Sequence, residues 1–266
     1  MRIYGRITVY GEYLMHGNIP GLIFPSELFL DTARSGDVVS LYSKEKDSVL
    51  PLIMKLGITP KHTLYGNLPL GFGLAGSTTL SLLHLSNLED QVHKKKIVNE
   101  IDREVHGFIP SGLDYESCNR QEWGFYCNAS GWQSISPLPI TYSLFMFPKE
   151  ELMDLVEVQK RVFSLKDRLV PLQIELNRTI KEHSRIDLEI LREYSEILLK
   201  TEVYSLGSSH FISTLLNQGI IAKGIGGLYD KVVLVIHSGK IASHSKLEEL
   251  AREYAGTMIS NTSILP

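Results

Sequence analysis

Residues 3–9 alternate along the chain. Ile3, Ile7 and Val9 fall on one side with Gly5, and Tyr4, Arg6, Thr8 and Tyr10 on the other, which predicts a strand with one buried face. Residues 38–42 read as a second strand. The cluster Asn67-Leu68-Pro69-Leu70-Gly71 breaks the pattern ahead of a helical run that begins near Ser77. Residues 89–106 predict a helix whose apolar stripe is Ile97, Ile101 and Val105, four apart. Pro110-Ser111-Gly112 then interrupts the chain before a short helix. Strands are expected at 124–128, 132–136, 142–147 and 232–236. Two or more helices are expected within 150–202, and a last amphipathic one at 246–254. The elements mix without a regular βαβ repeat, so the class is α+β. The strand-rich half gives way to the helical half near residue 140, which divides the chain into residues 1–139 and 140–266.

Composition narrows the classes. The chain has 266 residues, 43% hydrophobic and 21% charged, which argues against disorder and allows a sizeable core without staples. A formal net charge of −3 gives no overall basic field, so nucleic acid is not an expected partner. Lys94-Lys95-Lys96 reads as a solvated helix face. Cys118 and Cys127 form no CxxC pair and have no metal-ligand spacing. Reduced thiols in a cytoplasmic protein are expected, and a disulfide between them stays open. The N-terminus lacks the apolar run of a signal peptide. No membrane span is expected either, because no run of about 18 apolar residues occurs.

Two segments carry candidate chemistry. Gly71-Phe72-Gly73-Leu74-Ala75-Gly76-Ser77-Thr78-Thr79 precedes a helix. Such glycines let backbone N–H groups approach phosphate oxygens, and the helix start adds its dipole. The hydroxyls of Ser77, Thr78 and Thr79 offer a magnesium ligand. The loop lacks the GK[ST] of a P-loop. The alternative is a tight turn capped by Ser77. The second segment runs from Asp102 through Glu104 and His106 to Asp114. A phosphoryl acceptor hydroxyl needs one carboxylate to take its proton, and a second can hold magnesium. The alternative is that Ser111 and Asp114 form the N-terminal box of a helix, with Asp102 an exposed helical acid and His106 a structural histidine.

Taken together, these segments resemble the GHMP kinases, the superfamily of galactokinase, homoserine kinase, mevalonate kinase and phosphomevalonate kinase. Residues 5–17, GRITVYGEYLMHG, look like the PGK-strand-GEH/GEY opening of the mevalonate kinases. Residues 71–79 look like the GxGLGSSAA phosphate loop. Residues 106–114, HGFIPSGLD, resemble the HGxPSGxD segment, and residues 222–227, AKGIGG, are near the AKLTGAGGGG motif.

The resemblance implies a fold and a set of roles. The fold would be an N-terminal domain like ribosomal protein S5 domain 2 and a ferredoxin-like C-terminal domain. ATP would lie on Gly71, Gly73, Leu74, Ala75, Gly76, Ser77 and Thr78, with Gly226 and Gly227. Mg2+ would sit on Ser77 and Asp102, with Glu104 as the competing ligand. Asp114 would be the catalytic carboxylate, paired with Arg6. Glu12, His106 and Ser111 would face the acceptor. The implied activity is phosphorylation of a hydroxyl of mevalonate or a related hydroxy acid, as in isoprenoid biosynthesis. The partner would be a small molecule, and a homodimer is allowed.

Open alternatives are a kinase for phosphomevalonate or a sugar, and a non-catalytic nucleotide- or metabolite-binding relative. The chain departs from the family pattern in several places. Arg6 replaces lysine, Asp102 replaces glutamate, and one extra residue separates His106 from Asp114. Ile225 stands at a hydroxyl position, and Leu228 and Tyr229 at glycine positions. The stretch from Glu12 to Gly71 is short for the family, so a trimmed adenine-holding region is expected.

Overall fold

The computed structural model describes residues 1–11, 14–15, 18–32, 44–58, 64–107, 109–148, 155–225, 232–237 and 244–264. The chain forms two compact units, residues 1–7 with 24–122, and residues 8–23 with 123–266.

The first unit contains β1 (Arg2–Tyr10) as far as Ile7, β2 (Gly21–Thr32) from Phe24 on, β3 (Leu64–Gly66), and helices α1 (Lys44–Lys55), α2 (Gly76–His84), α3 (Gln91–His106) and α4 (Leu113–Arg120). β3 runs antiparallel to β2, with Leu30 opposite Gly66 and Thr32 opposite Leu64. All of α2 is buried, including its hydroxyl residues Ser77, Thr78, Thr79 and Ser81. α3 starts where the Asp90 side chain accepts from the Val92 and His93 amides, and it ends at Gly107 in the left-handed region (φ 75°). Its buried face is Lys94, Ile97, Val98, Ile101 and Asp102. Val105, expected on the apolar stripe, is only half-buried, and Asp102 takes a place on the inner face instead. Lys94 also corrects the expectation of a uniformly solvated lysine triplet, because it is buried while Lys96 is exposed.

The second unit contains β4 (Gly124–Cys127) and β5 (Gly131–Ser134), which form a hairpin, with the first residues of β2 pairing on β4. It also contains β6 (Ile140–Met146), β7 (Ile221–Ile225), β8 (Val232–His237) and β9 (Thr257–Ile264) in an antiparallel sheet of order β7-β8-β6-β9. Helices α5 (Leu155–Ser164), α6 (Lys166–His183), α7 (Leu188–Leu199) and α8 (Leu206–Asn217) connect β6 to β7, and α9 (His244–Glu253) connects β8 to β9. That succession is the β-α-β-β-α-β pattern of ferredoxin-like units, with four helices in the first crossover. Phe211 anchors it, its ring 5.0 Å from Phe145 and 5.3 Å from Phe147.

Several elements were not anticipated. β2 and α1 contain Pro25 and Pro51, residues that ordinarily punctuate elements. β9 is rich in Ser, Thr and Asn. Residues 222–225, placed within a glycine motif, belong to the fully buried strand β7 (Ile221–Ile225). The expected strand at 38–42 lies outside the described residues. Cys118 and Cys127 are buried free thiols, as expected. Among the described residues no helix is long and apolar enough to cross a membrane.

Candidate active site

The glycine loop is built from left-handed backbone. Gly71 (φ 83°), Gly73 (φ 76°) and Ala75 (φ 62°) all lie in that region within five residues. Glycine takes it readily, whereas alanine pays about 1–2 kcal/mol. Ala75 is the N-cap of α2 and offers no side-chain cap. The first amides of a helix have no carbonyl one turn back to bond, so they point outward as donors beside the positive dipole end. Ser77 does not cap α2, contrary to the turn-and-cap alternative.

The loop is fastened to β1. The Arg6 amide donates to the Leu74 carbonyl at 3.2 Å. This close approach requires Gly5, since a Cβ there would lie 2.4 Å from Leu68 Cδ1 and 2.9 Å from the Leu74 carbonyl oxygen. The same strand residue, Arg6, turns its buried guanidinium to α4, where Nε donates to Asp114 Oδ1. Asp114 sits in the first turn of α4, behind Gly112 (φ 79°). Ser111 Oγ accepts from the Leu113 amide at 3.2 Å, so part of the helix-box alternative is present. The Asp114 carboxylate is engaged by Arg6.

α3 brings the second carboxylate. Asp102 is 3% exposed, and its Oδ2 accepts from Thr78 Oγ1 at 2.6 Å. Its Oδ1 is buried without a hydrogen-bond partner. Burial pushes the Asp102 carboxyl up to about 7, and the Asp114 charge adds to this. The Thr78 and Ser77 hydroxyls and Arg6 act in the opposite sense. Glu104, the competing acid, has a 53% exposed side chain that lies 3.6 Å from Arg103. At the C-terminal end of α3, His106 Nε2 lies 3.0 Å from Ser77 Oγ. Lys95 on α3 bonds Glu116 on α4 at 2.6 Å, which ties together the helices that carry Asp102 and Asp114.

The structure therefore assembles Arg6, Gly71, Gly73, Leu74, Ala75, Gly76, Ser77, Thr78, Asp102, His106, Ser111 and Asp114 within the first unit. Glu12, Gly226 and Gly227 lie outside the described residues. Sequence reasoning missed the Thr78–Asp102 bond and the Leu74 carbonyl on Arg6. No local pattern signals either, because each joins elements far apart in sequence.

The donors fit a hard cation. A buried carboxylate oxygen without a partner and the hydroxyl of Ser77 are oxygen ligands of the type magnesium takes. No group of three or more His, Cys, Asp or Glu side chains able to hold a metal occurs among the described residues. Magnesium in nucleotide sites ordinarily uses only one or two carboxylates, with phosphates completing its shell.

No family model and no curated protein matches the sequence. Solved structures do match. The mevalonate kinase of Methanococcus jannaschii is similar over 100% of this chain and 98% of its own, with a TM-score of 0.68 at 13% identity. The phosphomevalonate kinase of Streptococcus pneumoniae, solved in complex with phosphomevalonate and AMPPNP, matches over 99% of each chain with a TM-score of 0.68 at 15% identity. The galactokinase of Lactococcus lactis, complexed with galactose, matches over 99% of this chain and 93% of its own, with a TM-score of 0.60 at 12% identity. From end to end, the chain has the α+β fold of the GHMP kinases.

Proposed function

We propose that this chain is an ATP-dependent small-molecule kinase that phosphorylates a hydroxyl of mevalonate or a related hydroxy acid. The observation that carries the reading is the double use of Arg6. Its amide holds the glycine loop at Leu74, and its guanidinium holds the Asp114 carboxylate. A phosphate cradle and a base are thereby built on one strand residue, as phosphoryl transfer to a hydroxyl requires.

In this reading the amides of residues 71–77 and the N-terminus of α2 bind the nucleotide phosphates. Ser77 and Asp102 would hold Mg2+, which when bound offsets negative charge on the phosphates. Arg6 engages Asp114 Oδ1. Oδ2 accepts the proton of the acceptor hydroxyl as that oxygen bonds to the γ-phosphorus and the link to the β-phosphate breaks. His106 and Ser111 face the acceptor in this reading, and the roles that the resemblance gives Glu12, Gly226 and Gly227 fall on residues outside the described ones. The division into a nucleotide- and substrate-binding domain like ribosomal protein S5 (1–139) and a C-terminal domain (140–266), and a cytoplasmic location, belong to the same proposal.

The test is acceptor-dependent conversion of ATP to ADP with magnesium, measured over a panel of mevalonate, other hydroxy acids, phosphomevalonate and the sugar galactose. Turnover with one acceptor class is the expected result. A second reading, a non-catalytic binding relative, is favoured by the departures in the last glycine motif, where Ile225 stands at a hydroxyl position and Leu228 and Tyr229 at glycine positions. Nucleotide binding without ADP formation from any acceptor would select that reading.

A further inference from the structure

We infer that Thr78 is a positioning residue. Its hydroxyl holds Asp102 Oδ2, so that the other carboxylate oxygen, Oδ1, is the one presented as a cation ligand. The inference rests on the proposed nucleotide site and assigns to Thr78 a task distinct from touching phosphate.

Three observations carry it. Thr78 is fully buried, and Oγ1 donates to Asp102 Oδ2 at 2.6 Å, a short bond of the kind a hydroxyl makes to a carboxylate. Asp102 Oδ1 is also buried and has no hydrogen-bond partner. Leaving such an atom unsatisfied is costly unless something outside the chain completes it. The remaining hydroxyls of α2 are used differently. Thr79 Oγ1 donates to the Ala75 carbonyl and Ser81 Oγ to the Ser77 carbonyl, both within the helix. Among these hydroxyls only those of Ser77 and Thr78 are turned toward α3, Ser77 beside His106 and Thr78 on Asp102.

The pairing also gives a reason for two departures from the family pattern, one in the GxGLGSSAA loop and one on α3. Aligned residue for residue over 71–79, Thr78 stands at an alanine position, and Asp102 is one methylene shorter than the glutamate of the pattern. A larger residue on α2 and a shorter acid on α3 fill the same buried space, and the threonine hydroxyl fixes the rotation of the shorter carboxylate. Groups that orient a metal ligand in this way typically change metal affinity by about 10–100-fold when removed.

The experiment measures Mn2+ binding by electron paramagnetic resonance in the presence of AMPPNP, with circular dichroism confirming that each variant folds. Thr78→Val keeps the shape and removes the hydroxyl, so Mn2+ should bind about 10–100-fold more weakly. Thr78→Ser restores the hydroxyl and should return affinity to near the unmodified value. The paired exchange, Thr78→Ala with Asp102→Glu, should bind Mn2+ better than Asp102→Glu alone, because the vacated space admits the longer acid. This comparison tests the inference even if Thr78→Val does not fold. Equal affinity in Thr78→Val and the unmodified protein overturns the positioning role while leaving the site in place. Equal losses in the valine and serine variants, or strictly additive effects in the paired exchange, also overturn it. Failure of the unmodified protein to bind Mn2+ with AMPPNP overturns the site itself.

Discussion

Arg6 and Asp114, 108 residues apart in sequence, form an ion pair in which the arginine side chain is 8% exposed and the carboxylate 32%. The charge that holds is buried, and the charge that would react reaches solvent. Replacing Asp114 by asparagine keeps an oxygen that can accept from Arg6 but removes the base. Nucleotide binding by calorimetry should therefore persist, while turnover falls by roughly 10²–10⁴. Full activity in Asp114→Asn is incompatible with the proposed chemistry.

Arg6→Lys tests what the guanidinium contributes. Lysine offers a point charge on a flexible stem, whereas arginine offers a planar fork. If charge beside Asp114 is all that matters, the lysine variant retains or improves kcat. A second, fork-dependent contact made by Arg6 would instead appear as a kcat loss of about tenfold or more, with the fold intact by circular dichroism, since losing one charge-assisted bond costs about 1.5–3 kcal/mol. The steady-state comparison of kcat and KM separates the two outcomes.

Gly73 has φ 76°, where a β-branched side chain is strained, and it lies between the other two left-handed residues of the loop. Gly73→Val should reshape the loop and weaken ATP binding about tenfold or more, equivalent to about 1.4 kcal/mol. A thermal melt confirms that the variant is folded. Calorimetry showing unchanged nucleotide affinity in folded Gly73→Val would remove the loop from the phosphate site.

The parts of this fold that were legible are those whose signal is local. Alternation over residues 3–9 marks β1, although Arg6, Thr8 and Tyr10 on the side expected to be open are buried too, so the strand is covered on both faces and not on one. The breaker cluster ending at Gly71 marks the approach to α2. The helix expected at 89–106 is bounded by the Asp90 cap and Gly107. Proline hid two other elements. In β2, Pro25 falls between the residues paired to β4 (Gly21–Ile23) and those paired to β3 (Leu30–Thr32), so its missing N–H interrupts neither ladder. Pro51 lies inside α1, where a proline ordinarily reads as a helix breaker. For the candidate site, glycine spacing and clustered acids pointed to the segments. How those segments meet depends on packing between α2, α3 and α4. The side chains of Thr78 and Lys95 reveal their partners only once those helices are in place.

Asp102 gives the site a pH signature that can be read without any ligand. Its folded carboxyl is raised to about 7 from an ordinary 3.8, burial being the main cause. The folded state thus keeps a proton that the unfolded chain has already lost. The stabilising contribution is full below about pH 4 and is lost as pH rises through about 7. In metal-free, nucleotide-free buffer, urea unfolding should show stability declining over that window by a few kcal/mol beyond the trend set by other groups. Asp102→Asn resembles the protonated side chain at every pH, so the difference between variant and unmodified protein should grow in favour of the variant from pH 5 to pH 8. Magnesium reverses the ranking, because a ligand oxygen must be ionised to bind it. With AMPPNP and saturating Mg2+ at pH 8, the unmodified protein should gain stability that Asp102→Asn does not. Glu104→Gln, at an exposed acid, should leave both behaviours unchanged. Parallel pH profiles for Asp102→Asn and the unmodified protein would contradict a buried, proton-retaining carboxyl at this position. A lost magnesium response in Glu104→Gln would move the ligand to Glu104.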